Sequence, residues 1–440
     1  MKNKLKSQEQ NNWYYIFIFL YFSLLVSFYY GENSTGGAVL DYFNQKKVSQ
    51  DFAENFKNSF YNYDNYSTRH SPILIIFLSL FEKFSLNDQI IRFIHMNLCL
   101  ILPLIIYKTL SLNIKSEKAV LILTSLVFLS PTFRSLSIWP DSRILGLTFF
   151  IFSIYFFIKF LNEKKIEHCY SNILFLAIAS YISPNFSVFS IFYFYHFLLL
   201  FRKDYFSIFR LFVLNLILAL PAFYYVVILD INFFYKTAAV GVTANENMYY
   251  KNFANNFLIL STIIFFYILP FIYLKIIKIN LYEKFKSKIL ISLILFLICF
   301  IFFDYKYSYT GGGIFFKFSY IVFNNNYLFY SICIISLYVI LSVFDFKFKN
   351  YFLFILLILN NPQITVYHKY FDPLLIIMFF TLFNFDKVIE TSWQVKIVYH
   401  TDLRRREPQS VVMPQRSAFT SIRSLRLKIQ SCFNKFFKSP

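Results

Sequence analysis

Two aspartates stand where a carboxylate could do chemistry rather than merely meet water. Asp41 follows Gly36-Gly37-Ala38-Val39-Leu40, a flexible and then apolar lead-in shortly after the first hydrophobic run. It shares the polar stretch Gly31 to His70 with Glu32, Asp51, Glu54 and Asp64, and the stretch closes on Arg69 and His70. Asp141 lies in Trp139-Pro140-Asp141-Ser142-Arg143, after Ser130-Pro131-Thr132-Phe133-Arg134 and just before a new apolar run. A carboxylate at the mouth of an apolar segment costs free energy unless it is paired or functional. Paired, Asp141 forms an ion pair with Arg134 or Arg143 that only orients a helix; unpaired, it is available as a general base or an orienting group. The plainer reading of the five acids between Gly31 and His70 is solvated loop charge.

A third cluster comes late, from Asn360-Asn361-Pro362 to Tyr367-His368-Lys369-Tyr370-Phe371-Asp372-Pro373. Its residues are polar, aromatic and cationic, and Tyr and Lys at this kind of boundary are ordinary interface anchors. Other features carry less. Gly311-Gly312-Gly313 lacks the flanking Lys and the strand-helix context of a nucleotide-phosphate loop and reads as a flexible turn. His95 and His196 lie inside apolar runs and suit hydrogen bonds between helices better than a metal. The five cysteines show neither a disulfide framework nor metal-ligand spacing, and Cys99, Cys299 and Cys333 read as small buried hydrophobes.

The elements that must position these residues follow from composition. The 440 residues are 58% hydrophobic and 15% charged, with 62 Phe and 35 Tyr, more apolar surface than a water-soluble core of this length could hide. The expected fold is all-α, a polytopic transmembrane helix bundle. A span needs about 20 apolar residues, and parsing by that length gives about twelve, from Trp13–Tyr30 and Ile90–Leu110 to Tyr351–Leu359 and Leu374–Phe385. The first of these is too long for a secretory h-region and lacks a small-residue cleavage site, so it is expected to stay as a span. The run Ile73 to Phe81 is too short to cross and is expected as an interfacial helix in the first extracytoplasmic loop, 31–89, beginning at Ser71-Pro72.

The formal charge of +20 sits mostly between apolar runs, which points to membrane lipids and away from nucleic acid. Lys and Arg favour one set of alternate loops, including Lys275, Lys278, Lys284, Lys286 and Lys288, and so predict both ends inside. Residues 1–387 form the expected transmembrane domain. From 388 to 440 the apolar periodicity stops and Arg404, Arg405, Arg406, Arg416, Arg423 and Arg426 appear. That region is either a cytoplasmic tail drawn to anionic lipid or not native to the rest of the chain, and it is expected to be disordered in either case.

The order of these features resembles the GT-C superfamily of membrane glycosyltransferases, in particular the branch of protein mannosyltransferases and aminoarabinose transferases. The matching segments are Gly37-Ala38-Val39-Leu40-Asp41-Tyr42, Arg69-His70-Ser71-Pro72-Ile73-Leu74, Ile91-Arg92-Phe93 and Leu129-Ser130-Pro131 through Asp141, covering roughly residues 10 to 165. The chain departs from the family pattern at Tyr42, where an acid often follows the first Asp, and at Ser71, where a double proline is usual.

The resemblance implies transfer of a sugar from a polyprenyl-phosphate donor to a lipid, glycan or protein acceptor at the outer face of a bacterial plasma membrane. Asp41 is then the expected general base and Asp141 the second carboxylate. Arg69, His70, Arg143, His368, Lys369 and Tyr370 are the expected substrate-binding groups around the departing phosphate. A divalent metal ion is left open by the same resemblance. Rival classes are a polysaccharide polymerase, marked by a large late outer loop, and a lipid-linked sugar flippase or transporter, which should bury ionisable groups at mid-membrane and show two related halves.

Overall fold

In lipid every backbone N–H and C=O must find a partner within the chain, and a sequence this apolar meets that demand with helices. The computed structural model describes residues 2–385 except 67, 69, 232–248, 278, 280, 308–310 and 362–364, with the side chains of 2–14 and 249–251 also outside the description. Arg69, Cys432 and the basic region from 388 onward therefore lie outside the described residues. Among those described, all regular structure is helical and no β-strand occurs.

Five helices are long and apolar enough to cross a membrane: Asp88–Ser111, Ser142–Glu163, Tyr205–Ile228, Asn252–Tyr273 and Tyr327–Phe344. The pair Glu117–Phe128 and Pro131–Ile138, bent by 56°, makes a sixth if it is one broken span. Shorter apolar helices include Tyr15–Tyr29, Pro184–Leu200, Gly313–Phe323 and Phe348–Leu359. The chain is an integral membrane protein of helical construction. Its helices divide by exposure: 61% of the apolar window in Ser142–Glu163 is buried inside the protein against 11% in Tyr205–Ile228, which presents its surface to lipid.

Local chemistry explains the helix starts. Ser71 caps Pro72–Lys83 by accepting from the Ile73 N–H, and Pro72 occupies the first turn, where its missing N–H is no loss. Ser130 and Pro131 start Pro131–Ile138 in the same way, and Asp141 caps Ser142–Glu163. Two regions expected as loops are helical. Asp41 sits in the first turn of Ala38–Glu54, where the positive end of the helix dipole favours a carboxylate, rather than in a flexible lead-in. The segment between Leu129 and Trp139 is a buried helix instead of a short outer loop, because its caps close the ends and Phe133, Leu136 and Ile138 pack into the core.

Aromatic side chains fill that core. Phe150 packs on Phe186 and Phe189, and Phe157 on Phe192 and Tyr193, zipping Ser142–Glu163 to Pro184–Leu200. His95 Nδ1 lies 2.9 Å from the Ser137 carbonyl, the link between helices anticipated for it; His196 instead bonds within its own helix, to the Phe192 carbonyl at 3.1 Å. Cys99, Cys169, Cys299 and Cys333 are free and buried.

Candidate active site

Helix ends bring distant residues to one place. The start of Ala38–Glu54 supplies Asp41, the start of Ser142–Glu163 supplies Asp141 and Arg143, and the turn ahead of Pro72–Lys83 supplies His70. The late segment 365–373 supplies Lys369 and Tyr370 from more than two hundred residues away in sequence. Lys369 Nζ stands 3.0 Å from Asp41 Oδ2. Arg143 Nη1 stands 3.8 Å from Asp141 Oδ2, with the guanidinium carbon 4.6 Å from the Tyr370 ring centre. Arg143 and Lys369 each lie within electrostatic reach of both carboxylates, so Asp41 and Asp141 share one cluster.

The two carboxylates differ in access. The Asp141 side chain is 1% exposed; Oδ1 accepts the Arg143 N–H at 2.7 Å as the helix cap, while Oδ2 is buried without a hydrogen bond. Burial alone would raise the Asp141 carboxyl, but Arg143, His70 and Lys369 outweigh it and hold it below the usual carboxylate range. The Asp41 side chain is 27% exposed and can be reached from outside. Lys369 is 10% exposed, and burial together with repulsion from Arg143 lowers its pKa.

His70 lies 3.3 Å through Nδ1 from the Ser142 hydroxyl, and burial pushes its imidazole down to about 4 despite the nearby Asp141. It is therefore a neutral group at neutral pH and not the cation expected from the sequence. His368 is corrected more strongly. Its Nε2 accepts the Ile314 N–H at 3.1 Å, so it caps Gly313–Phe323, and burial lowers it to about 4 as well. That use explains the glycines. A Cβ on Gly311 would stand 2.5 Å from the Val366 carbonyl oxygen, and Gly312 donates to that same oxygen at 2.8 Å, so the triple glycine is a packed turn that lets segment 365–368 approach.

Arg134 is not a partner of Asp141. Its Nε donates to Glu32 Oε2 at 3.0 Å, Nη1 to Ser23 Oγ at 3.0 Å, and Nη2 to Ser27 Oγ. Trp139 is buried rather than set at an interface; its Nε1 donates to the Glu32 carbonyl at 3.0 Å and Arg92 lies over its ring.

Arg143, Lys369 and Tyr370 line a narrow cleft of about 30 Å³ that opens to the outside. Its other walls include Thr132, Asn360 and Asp372, which belong to segments singled out from the sequence though not named there as site residues, and Ser183 and Asn185, which were not singled out. Asp372 accepts from the Ser130 hydroxyl and from Thr132 N at 3.4 Å, which clamps the Lys369 segment to the bend between Glu117–Phe128 and Pro131–Ile138. Burial raises its carboxyl. One signal was available: an acid stands directly ahead of an apolar run at Asp372-Pro373-Leu374 as it does at Asp141-Ser142.

A second, larger cavity of about 640 Å³ lies beside the first. The turn 183–187 forms part of both walls: Ser183, Asn185 and Phe186 face the polar cleft, while Pro184 and Ser187 face the larger cavity, which is otherwise walled mainly by apolar residues such as Ile73, Leu176, Leu218 and Val226. A divalent cation fits the polar cluster poorly. Both carboxylates already face ammonium or guanidinium groups, and among the described residues no three His, Cys, Asp or Glu side chains converge.

Fold and cluster together define a helical membrane protein with a cation-lined polar cleft at its helix ends. Comparison with protein-family models, with curated proteins and with solved structures returned no match.

Proposed function

We propose that this protein is a membrane glycosyltransferase that moves a sugar from a polyprenyl-phosphate donor to a hydroxyl of a lipid, glycan or protein acceptor. The observation that carries the reading is the single cluster in which Asp41 and Asp141 share Lys369 and Arg143 beside a polar cleft. Cations on a cleft wall stabilise the negative charge that gathers on a departing phosphate, and Arg143 Nη1 is buried without a hydrogen bond, as a donor awaiting such a ligand would be. An apolar cavity next to that cleft suits a ligand with a charged head and a hydrocarbon tail.

In the transfer, the acceptor oxygen attacks the anomeric carbon while the bond from that carbon to the phosphate oxygen breaks. Its electron pair stays on the phosphate, and the hydroxyl proton goes to Asp41, the more accessible carboxylate. Asp141, with Oδ1 committed to its helix, orients Arg143. The Tyr370 ring lies against the Arg143 guanidinium, and His70 is placed at the start of the same helix by the Ser142 hydroxyl. The reading sets the site at the outer face of a bacterial plasma membrane with both termini inside, a bundle of about twelve spans and membership of the GT-C superfamily.

The buried or half-buried charges do not favour a transporter. Among the described residues Asp141, Asp372 and Lys288 are the buried acids and lysines, and each sits at a helix end or in a connecting segment. The test is transfer of labelled sugar from a panel of polyprenyl-phosphate sugars by the protein in proteoliposomes. The wild type should transfer from at least one donor and Asp41→Asn should lose at least about 100-fold; equal rates in the two would remove the reading.

A further inference from the structure

The Asp41–Lys369 pair poses a problem for the reading just given, on which this inference rests. The Lys369 ammonium occupies Asp41 Oδ2 at 3.0 Å, the oxygen that an acceptor hydroxyl would have to approach. The same lysine is wanted elsewhere, since Lys369 lines the polar cleft beside Arg143 whereas Asp41 is not among the cleft walls. We infer that Lys369 exchanges partners: the phosphate of the arriving donor takes the ammonium from Asp41, and the carboxylate becomes a base only when a donor is in place.

The geometry permits the exchange at one of the two cations and resists it at the other. Arg143 is fixed by Asp141 on one side and by the Tyr370 ring on the other. Lys369 carries a compact charge on a flexible stem with three donors, and its ammonium lies beside Gly37, where even an added Cβ would be 3.6 Å away. Charge points the same way. Asp41, Asp141, Lys369 and Arg143 cancel, and His70 is neutral, so the resting cluster has no surplus cation to offer a phosphate. An anion must therefore compete with Asp41 or Asp141, and Asp41 is the less buried competitor with the more mobile partner.

Competition gives a binding signature independent of turnover. With the protein in nanodiscs and farnesyl phosphate as the probe, farnesol serving as the neutral control, Asp41→Asn should bind the phosphate about tenfold more tightly than the wild type. In a Lys369→Met background the same Asp41→Asn change should alter affinity by less than about twofold, since no ammonium remains to be released. Lys369→Arg, which keeps the charge, provides a folded reference if Lys369→Met proves unstable, and in it the Asp41→Asn gain should persist.

An equal gain with and without Lys369 would reduce the effect to plain repulsion by Asp41 and overturn the exchange, as would no gain at all. If the wild type binds farnesyl phosphate no better than farnesol, the transferase reading itself falls and the exchange with it. If the wild type binds the phosphate and only the double-variant pattern fails, the exchange alone is lost.

Discussion

Arg134 and Arg143 are nine positions apart, on the two helices that flank the turn 139–141, yet they live in opposite circumstances. Arg134 donates through all three nitrogens, to Glu32, Ser23 and Ser27, and so ties the first helix to Pro131–Ile138. Arg143 faces Asp141 at 3.8 Å, with Nη1 and Asp141 Oδ2 both buried and without hydrogen bonds. A saturated ion pair is a fastening. A pair that leaves buried polar atoms unmet costs about 1–3 kcal/mol per atom, and such a cost persists where a ligand relieves it.

The difference can be broken or sharpened by substitution. Arg143→Met should lower sugar transfer by about 100-fold or more while the melting temperature in detergent falls less than it does for Arg134→Met, because Asp141 keeps its helix cap and the nearby Lys369 ammonium. A large loss of stability with little loss of transfer would exchange the two roles. Arg134→Met should destabilise by about 2–4 kcal/mol, near the lower range for a broken buried pair because Glu32 retains some access to solvent, and the protein that remains folded should bind farnesyl phosphate as the wild type does.

Acid should act on the histidines of the same region. His70 and His368 have pKa values near 4 in the folded protein against an ordinary value near 6.5, so between those two values the unfolded chain holds protons that the folded chain does not. Stability contributed by keeping them neutral is present above about pH 6.5 and is lost as pH falls toward about 4. Thermal unfolding between pH 7 and pH 4.5 should show the decline, and a His70→Gln, His368→Gln double variant should show a shallower one. An identical pH slope would mean that neither ring is buried as described. The smallest effect belongs to His368→Ala, which removes a helix cap and should cost about 1 kcal/mol while leaving farnesyl phosphate affinity within about twofold.

The sequence and the structure agree where local chemistry decides. Ser71-Pro72 begins a helix as expected because a hydroxyl cap followed by proline is a start signal that needs nothing from elsewhere in the chain, and Ser130-Pro131 carries the same signal although its segment was expected as a loop. Asp141 was foreseen near Arg143 for the same reason, two residues along one helix start. What could not be read were the partners chosen by tertiary approach. Nothing near Arg134 announces Glu32, which is 102 residues earlier, and nothing near Asp41 announces Lys369, 328 residues later.

His368 looked like a ligand-binding side chain beside Lys369, but its imidazole is drawn to the backbone of Gly313–Phe323 once the glycine turn lets the two segments touch. Asn185 was passed over because such a residue is common at a helix end, and Asn360 and Asp372 were visible only as members of the late polar segment until the cleft gave all three a shared direction. The five long apolar helices follow from composition, whereas the helices between residues 38 and 61 hide in a stretch whose polarity resembles a loop.

The most direct measurement is an electron cryo-microscopy structure of the protein in nanodiscs with a polyprenyl phosphate. The account predicts phosphate density between Arg143 Nη1 and Lys369 Nζ, with the lysine turned away from Asp41 and the hydrocarbon chain in the cavity beside the turn 183–187. Density for the phosphate elsewhere, with Lys369 still seated on Asp41 and the cleft vacant, would contradict it.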